Sequence, residues 1–420
     1  MTPIETTIES RGVRAPFDVA AARRRFPALA SGFAFFDNAG GSQVLAEVAD
    51  AIRDYLLTSN VQLGASYEVS ERATERVAAG VRAAATLVNA DPQEIVLGGS
   101  TTQLLANLGR AMAPDLGPGD EIVVTDADHE SNVGPWMRLA ERGVAIRVWE
   151  VEPETQELSL DRLAGLLTER TRLVAMPHVS NVVGSIHPVA GAVRLAHAAG
   201  AKVLVDGVAY APHRAIDVRA WDVDFYALSF YKVFGPHNAA LYGKRERLLE
   251  LAGINHFFFG RDAIPAKLQP GGPTYELAAG LPPVVAYLEE LGRQVSAEAP
   301  SARPIAAAFA AIAEHEERLA APLLDFLAGH RGVRIVGRRA ADRDGRVATV
   351  SFTIEGRRPE EVTAHLDRFA IGARHGDFYA RRLVIALGLA ERGGVVRVSM
   401  AHYNTEDEVA RAIRRLDEVL

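Results

Sequence analysis

One lysine in this sequence, Lys232, stands in surroundings that suggest a chemical task. It follows the apolar run "DFYALSFY" and precedes Val233 and Phe234. An ammonium group is rarely placed among aromatic side chains without a partner or a role, because burial removes its hydration. Such surroundings favour the neutral amine, which is a nucleophile and a base. The sequence therefore predicts a reactive lysine at the end of a buried strand.

Polar residues also stand at or just after the ends of three other apolar runs. Asp206 ends "KVLVD", His129 follows "EIVVTD", and Asn181 ends "RLVAMPHVSN". A carboxylate at the tip of an apolar strand is costly unless it meets a cation, although a turn-capping aspartate looks the same in sequence. A histidine there can stack on a flat ring or transfer protons, and an asparagine can bind a ligand oxygen. Taken singly, each residue is more simply explained as part of a loop.

A fourth apolar run, "EIVLGG", is followed by Ser100, Thr101 and Thr102. These hydroxyls open a predicted helix, where free N–H groups and the helix dipole favour an anion such as phosphate. Taken alone, the pattern is more simply an N-cap after a glycine turn.

As a set, these residues match what pyridoxal phosphate requires. The cofactor needs a lysine for its aldehyde, an acid for its pyridine nitrogen, donors for its phosphate and a flat group against its ring. Lys232, Asp206, Thr101, Thr102 and His129 provide these groups. We therefore predict a pyridoxal-phosphate enzyme, and we expect no metal site.

These residues must be positioned by alternating strands and helices. Helical stretches separate most of the apolar runs, which favours a mostly parallel sheet with helices on both faces. Ligands bind such sheets at the carboxyl ends of the strands. The predicted strands are Glu94–Gly99, Glu121–Asp126, Ala145–Glu152, Arg172–Asn181, Lys202–Gly207, Asp224–Lys232 and Ala239–Lys244.

The last third of the chain has a different pattern. The runs "VRIVG", "VATVSFTI" and "VVRVSMAHY" alternate like half-buried strands, and amphipathic helices separate them. We predict an N-terminal arm and helix over residues 1–30 that packs with the small domain. A large cofactor-binding domain over residues 31–299 and a small α+β domain over residues 300–420 follow.

Composition excludes several classes of function. The 420 residues carry a net charge of -7 and include no cysteine. The charge argues against nucleic-acid binding, and no apolar run reaches the roughly 18 residues of a membrane span. The lack of cysteine excludes disulfides, thiolate metal sites and a cysteine nucleophile. Since the N-terminus has no hydrophobic signal core, we expect a cytoplasmic protein without a membrane partner.

As an ordered set, the motifs resemble the class V aminotransferase family of fold-type I pyridoxal-phosphate enzymes, and especially its cysteine desulfurase branch. The motifs are "STT", "DHESNVGPW", "SNVVGS", "VDG", "SFYK" and "VRVSMAHYNT". The resemblance implies the aspartate aminotransferase-like fold, an α/β fold with a mostly parallel central sheet and a smaller α+β C-terminal domain. It also implies a homodimer.

The resemblance assigns roles to individual residues. Lys232 would form the Schiff base, His129 would stack on the ring, and Asp206 would pair with the pyridine nitrogen; these are the expected catalytic residues. Asn181 would contact the phenolic oxygen. The expected cofactor-binding residues are Thr101, Thr102, His129, Asn181, Asp206, Ser229 and Lys232. The expected substrate-binding residues are Arg397, which would hold the α-carboxylate, with Arg374, His375, Asn38 and Gln62.

The chain also departs from the desulfurase pattern. Desulfurases carry a catalytic cysteine just before the last arginine motif, and the corresponding stretch here is "IGARHGDFYARRL". A persulfide on the enzyme is therefore impossible. Ala209 stands where the branch has a glutamine, Gln62 where it has a histidine, and Gly272 where a threonine reaches the phosphate of the other subunit.

These departures leave the reaction open. We expect an aminotransferase acting on a small amino acid. The alternatives are a desulfurase-like C–S lyase without an enzyme thiol, an amino-acid epimerase, and an inactive relative that only binds the cofactor. We expect Arg374, His375, Asp377 and Tyr379 to face the substrate side chain and set specificity.

Overall fold

All the strands predicted in the first 245 residues are present, and their observed ends lie within a few residues of the predicted ends. The computed structural model describes residues 17–296 and 303–420. Its strands are β1 (Ala34–Phe35), β2 (Ile95–Gly98), β3 (Glu121–Thr125), β4 (Ala145–Trp149), β5 (Thr171–Pro177), β6 (Lys202–Asp206), β7 (Phe225–Ser229), β8 (Ala239–Gly243), β9 (Val333–Val336), β10 (Thr349–Ile354), β11 (Ile371–Gly372), β12 (Arg374–Gly376) and β13 (Val395–Ser399).

The helices occupy the stretches between most of these strands. They are α1 (Val19–Arg23), α2 (Ala46–Thr58), α3 (Glu68–Val88), α4 (Thr101–Met112), α5 (Gly134–Met137), α6 (Leu160–Leu166), α7 (Val189–Ala198), α8 (Val218–Trp221), α9 (Arg245–Glu250), α10 (Tyr275–Ala279), α11 (Pro282–Val295), α12 (Pro304–Gly329), α13 (Pro359–Asp367), α14 (Arg381–Ala386) and α15 (Glu406–Asp417). Within the described residues, no helix is long and apolar enough to cross a membrane.

The large sheet has the strand order β2-β8-β7-β6-β5-β3-β4. Its strands run parallel except β8, which is antiparallel to both β2 and β7. Consecutive residues alternate between two apolar cores: Leu173 and Ala175 face one core, and Val174 and Met176 face the other. Helices therefore cover both faces, and the carboxyl ends of β2, β3, β5, β6 and β7 meet at one edge.

A second, antiparallel sheet has the order β12-β13-β10-β9. With α13, α15 and the second half of α12 it encloses a separate apolar core. A capping box starts α15: the Thr405 side chain accepts from the Glu408 N–H, and the Glu408 side chain accepts from the Thr405 N–H. β1 lies apart and pairs in parallel with β11, so the chain near residue 35 lies beside the chain near residue 371.

Helix α12 joins the two cores, and we propose that the domain division lies within it. Ile305 and Ile312 pack in the large core, whereas Leu319 and Leu327 pack in the small one. The predicted boundary at residues 299 and 300 lies outside the described residues, as do residues 1–16 of the predicted arm.

Helix α1, at the start of the described residues, contacts the C-terminal part of the chain. Arg23 donates to the Tyr403 carbonyl at 2.6 Å and pairs with Glu408 at 3.0 Å. These contacts support the predicted packing of the N-terminal helix with the small domain, which stays a proposal.

Candidate active site

Lys232 lies one short turn beyond β7 and is almost fully buried. Burial lowers the pKa of its amine to about 8, and the positive charge of Arg397 acts in the same direction. The carboxylates of Asp206 and Asp37 partly oppose that shift. At pH 7 about a tenth of the molecules therefore carry the neutral amine that a nucleophile or base requires.

Asp206 ends β6, next to β7 in the sheet, and its side chain is buried. Its carboxylate accepts a hydrogen bond from the Val208 N–H at 2.9 Å. Burial raises the pKa of this carboxyl group, while the Val208 N–H and the charge of Lys232 lower it. A buried carboxylate with so few donors is a suitable partner for a protonated ring nitrogen.

The residues predicted to cradle a phosphate lie at the N-terminus of α4. The Ser100 side chain caps the helix by accepting from the Gln103 N–H at 3.1 Å, so the sequence-based N-cap interpretation is confirmed. Thr101 Oγ1 lies 2.7 Å from Ser229 Oγ, which joins the start of α4 to the end of β7. Two hydroxyls and a helix N-terminus thus converge, as a phosphate group requires.

His129 follows β3 and is held by its own turn. Its Nδ1 lies 2.7 Å from Ser131 Oγ and accepts from the Ser131 N–H. Burial, with the charge of Lys232, lowers the pKa of the ring to about 4. The ring is therefore neutral at pH 7, which suits stacking better than acid catalysis. The preceding residue, Asp128, is buried, and burial together with the charge of Asp206 raises its pKa.

Asn181 lies in the turn after β5. Its Nδ2 donates to the Phe378 carbonyl at 2.9 Å, and the amide keeps a second hydrogen for another acceptor. Its Oδ1 is buried without a hydrogen-bond partner among the described residues. A polar ligand atom beside this amide would account for the unpaired oxygen.

One cavity collects the residues expected to bind the cofactor. All seven of them line it, together with others that include Ser100, Asp128 and Ala209. The cavity offers a reactive amine, a buried carboxylate, a phosphate cradle, a neutral ring and an unsatisfied amide. This donor set fits pyridoxal phosphate.

Arg397, on β13, is fully buried beside this cavity. Its Nη2 pairs with Asp37 at 2.8 Å, and its Nη1 donates to the Asn181 carbonyl at 3.0 Å. The guanidinium lies 3.7 Å from the centroid of the Phe378 ring. Burial lowers the arginine pKa, and Asp37 opposes that shift. Arg374 is the cross-strand neighbour of Arg397, and its Nη1 lies 3.7 Å from Asp37.

Three predicted substrate residues are not brought to this site. His375 lies between Arg374 and Gly376 on β12, so it points to the opposite face, where its Nδ1 meets Thr363 Oγ1 of α13 at 2.7 Å. Asn38 is buried and donates to the carbonyls of Phe35 and Ser399, both at 2.8 Å.

The third of these residues, Gln62, is exposed. Its side-chain oxygen lies 3.5 Å from the Tyr275 hydroxyl, and it is not among the residues that line the cavity. Gly272, which stands where the family has a threonine that reaches the other subunit's phosphate, does not line this cavity either, and nor does the nearby Thr274.

Sequence reasoning missed three residues here: Asp37, Asp128 and Phe378. Asp128 directly precedes His129, and its place after a strand was a usable signal. Asp37 lies 360 positions before Arg397, so only the fold reveals their pairing. Phe378 falls in the stretch expected to face the substrate, but its contact with a guanidinium depends on the loop conformation.

Comparison with known proteins identifies the family. The family described as Aminotransferase class-V matches residues 34–412. The chain belongs to the class V aminotransferase family. It is therefore a pyridoxal-phosphate-dependent enzyme with the fold-type I architecture, as the motifs predicted.

The chain is similar both to a relative named as aminotransferase-like and to relatives named as cysteine desulfurases or desulfurase-like. The chain is 41% identical to the aminotransferase-like protein FGM3 of Gibberella zeae, and the alignment covers 96% of this chain and 99% of that protein. It is 35% identical to the cysteine desulfurase-like protein ustD of Aspergillus flavus, covering 100% and 92%. The solved structure of the cysteine desulfurase CsdA from Escherichia coli superposes with a TM-score of 0.81 at 28% identity, covering 96% and 98%.

Proposed function

We propose that this enzyme is an aminotransferase that acts on a small amino acid. The observation that carries the proposal is Lys232, a buried amine with a pKa of about 8 that the charge of Arg397 lowers and the charge of Asp206 raises. Transamination requires one base that removes the Cα proton and returns a proton to the carbon on the other side of the amino nitrogen. A buried, partly neutral lysine is suited to both steps.

The residues of the site divide this work. When bound, pyridoxal phosphate supplies an electron sink that stabilises negative charge at Cα. Asp206 holds a proton on the pyridine nitrogen, and His129 keeps the ring in plane. Arg397 binds the α-carboxylate through its guanidinium fork and so orients the Cα–H bond. Lys232 takes the proton from Cα.

The same geometry gives less support to the lyase alternative. Elimination of a poor leaving group benefits from a nearby acid. His129 has a pKa of about 4, so its ring is neutral at pH 7 and is a weak general acid, and the sequence contains no thiol. His375, the other histidine considered for this role, points to α13.

An amino-acid panel tests the proposal. The purified protein with pyridoxal phosphate should absorb in the visible range, and a responsive amino acid should convert the cofactor to its amine form with release of the keto acid. Lys232→Ala should abolish the conversion, whereas His375→Ala should retain it. Sulfide or pyruvate released with the cofactor unchanged would instead assign elimination. A protein that takes up no pyridoxal phosphate would contradict both functions.

We also propose that the enzyme is a homodimer. An open cleft beside the site is lined by Tyr231 and Gly41, and by Val44, Leu56 and Leu57, which are 40%, 46% and 69% exposed. A second copy of the chain would cover these apolar side chains. Leu57→Asp should shift the mass measured by light scattering from dimer to monomer; a monomeric wild type would overturn this proposal. The expected cytoplasmic location stays a prediction.

A further inference from the structure

Phe378 contacts both the carboxylate-binding arginine and the asparagine beside the cofactor cavity. Its ring covers the guanidinium of Arg397 with 3.7 Å between the ring centroid and Cζ. Its carbonyl accepts the Asn181 Nδ2 hydrogen bond at 2.9 Å. The side chain is half-buried and packs against the large apolar core. A single residue between β12 and α14 therefore touches two groups expected to contact ligand.

The backbone of this segment is held in an unfavourable conformation. Phe378 and Tyr379 have φ values of 53° and 60°, the left-handed region, which costs a non-glycine residue roughly 1 kcal/mol each. Hydrogen bonds hold it there: the Glu130 N–H donates to the Tyr379 carbonyl at 2.8 Å, and the Ala380 N–H donates to the Asp377 carbonyl at 2.8 Å. The consequence is that the Phe378 ring turns inward and the Tyr379 ring is exposed.

The ring has a physical effect on Arg397. The guanidinium is 1% exposed, and its Nε has no hydrogen-bond partner among the described residues. An aromatic face attracts a cation and excludes water from one side of it. Less water means that a carboxylate bound by Arg397 is held in a lower effective dielectric and in one orientation. Loss of the ring would let water and alternative rotamers compete.

We propose that Phe378 is a positioning residue for recognition of the substrate α-carboxylate. Its ring holds Arg397 against the Asn181 turn, and its carbonyl holds the Asn181 amide toward the cofactor cavity. This proposal rests on the proposed function for the identity of the substrate, but the state of Arg397 can be measured without it.

The first experiment uses the full chain without added cofactor. Phenylglyoxal modifies accessible arginines, and mass spectrometry locates the modified residues. We expect slow modification of Arg397 in the wild type and at least fivefold faster modification in Phe378→Ala. Arg374 is 58% exposed on its side chain and serves as the internal reference in both proteins. Equal rates at Arg397 in the two proteins would overturn the proposal.

The second experiment uses the cofactor-loaded enzyme. The cofactor absorbance is titrated with the amino acid that responds in the panel and with the amine that lacks its carboxylate. In Phe378→Ala the preference for the amino acid over the amine should fall about fivefold to tenfold, and Phe378→Tyr should retain it. Phe378→Leu keeps an apolar cover but removes the aromatic face, so an intermediate preference is expected.

A matched control removes an aromatic ring that covers a different arginine. Phe369 lies 3.9 Å from the Arg415 guanidinium, packs against the small apolar core, and does not line the cofactor cavity. Phe369→Ala should leave the preference unchanged, and an equal loss in this variant would show a general effect of destabilisation and overturn the proposal. A wild-type enzyme that responds to no amino acid would overturn the proposed function, while the phenylglyoxal result would still decide the role of Phe378.

Discussion

The reactivity of Lys232 depends on charges that come from distant parts of the chain. Arg397 lowers the pKa of the amine, whereas Asp206 and Asp37 raise it. Since Asp37 also pairs with Arg397, the lysine responds to an ion pair rather than to one charge. Changing either member of this pair should therefore move the lysine pKa in a predictable direction.

Reconstitution with pyridoxal phosphate measures this pKa. The neutral amine is the nucleophile, so in the wild type the rate of cofactor uptake should rise with pH up to about pH 8 and then level off. Arg397→Gln removes a cation and so raises the lysine pKa, and the rise of the uptake rate should therefore move to higher pH. Asp37→Asn removes an anion and should move it to lower pH. Stopped-flow absorbance provides the rates.

A distant charge serves as the control for that measurement. Arg415 contacts Phe369 and Glu418, outside the site, so Arg415→Gln should leave the pH dependence of the uptake rate unchanged. Shifts of the same sign in Arg397→Gln and Asp37→Asn would contradict the electrostatic account.

At the residue scale, the sequence predicted groups at strand ends better than groups in loops. Asp206 and Lys232 were each ambiguous alone, but together at strand ends they indicated one site, because a buried charge needs a partner. His375 was expected to face the substrate, but a three-residue strand offers no pattern from which to tell which residues face the site. Asn38 has an amide that could bind a ligand, yet this amide donates hydrogen bonds to backbone carbonyls instead.

The turn after β6 shows how one element positions a functional side chain. A Cβ atom on Gly207 would lie 2.1 Å from the ring of Tyr226, a side chain of the neighbouring strand β7. Only glycine lets the backbone pass this ring. The conformation of this turn determines the position of the Asp206 carboxylate.

We therefore expect Gly207→Ala to displace Asp206. The free energy of unfolding should fall by about 1–3 kcal/mol, as for other overpacked sites, and pyridoxal phosphate should bind more weakly. Denaturant unfolding and cofactor titration provide the two measurements. Gly165→Ala is the matched control, because nothing lies within 4 Å of its added Cβ. Cofactor affinity that is unchanged in Gly207→Ala would contradict the positioning role.

At the element scale, most strands and several helix ends could be predicted from the sequence. Buried parallel strands have continuous apolar runs, and Pro282 and Thr405 mark helix starts by their chemistry. The single helix α12 could not be predicted as a link between cores, because its apolar residues have the same pattern against either core. The left-handed pair at Phe378 and Tyr379 has no sequence signal, since both residues normally avoid that conformation.

At the scale of the whole molecule, several buried histidines make stability depend on pH. His402 lies among Phe26, Phe234, Tyr287 and Tyr403, and burial, with the charges of His315 and His213, lowers its pKa to about 3. Its folded pKa lies below the unfolded value of about 6.5, so the unfolded chain binds more protons between these values. Stability is lost as pH falls through that window.

Urea unfolding at pH 6.5 to 4.5 tests this expectation. A histidine that stays neutral in the folded protein contributes about 1.4 kcal/mol per pH unit to the slope of the unfolding free energy against pH. His402→Gln should reduce the slope of the unfolding free energy by about that amount. The exposed His256, changed to Gln, provides the control and should leave the slope unchanged. Identical slopes in His402→Gln and the wild type would contradict a neutral buried His402.

The pairing of β1 with β11 has a consequence for how the protein is made. Ala34 lies beside Ile371, and the ion pair between Asp37 and Arg397 spans 360 positions. During synthesis on the ribosome, the first segment must wait for almost the entire chain before its partners emerge. Contacts this distant in sequence close late in folding. The ion pair between Asp37 and Arg397 is therefore completed only after translation has nearly ended, whereas the large sheet that carries Asp206 and Lys232 can assemble earlier.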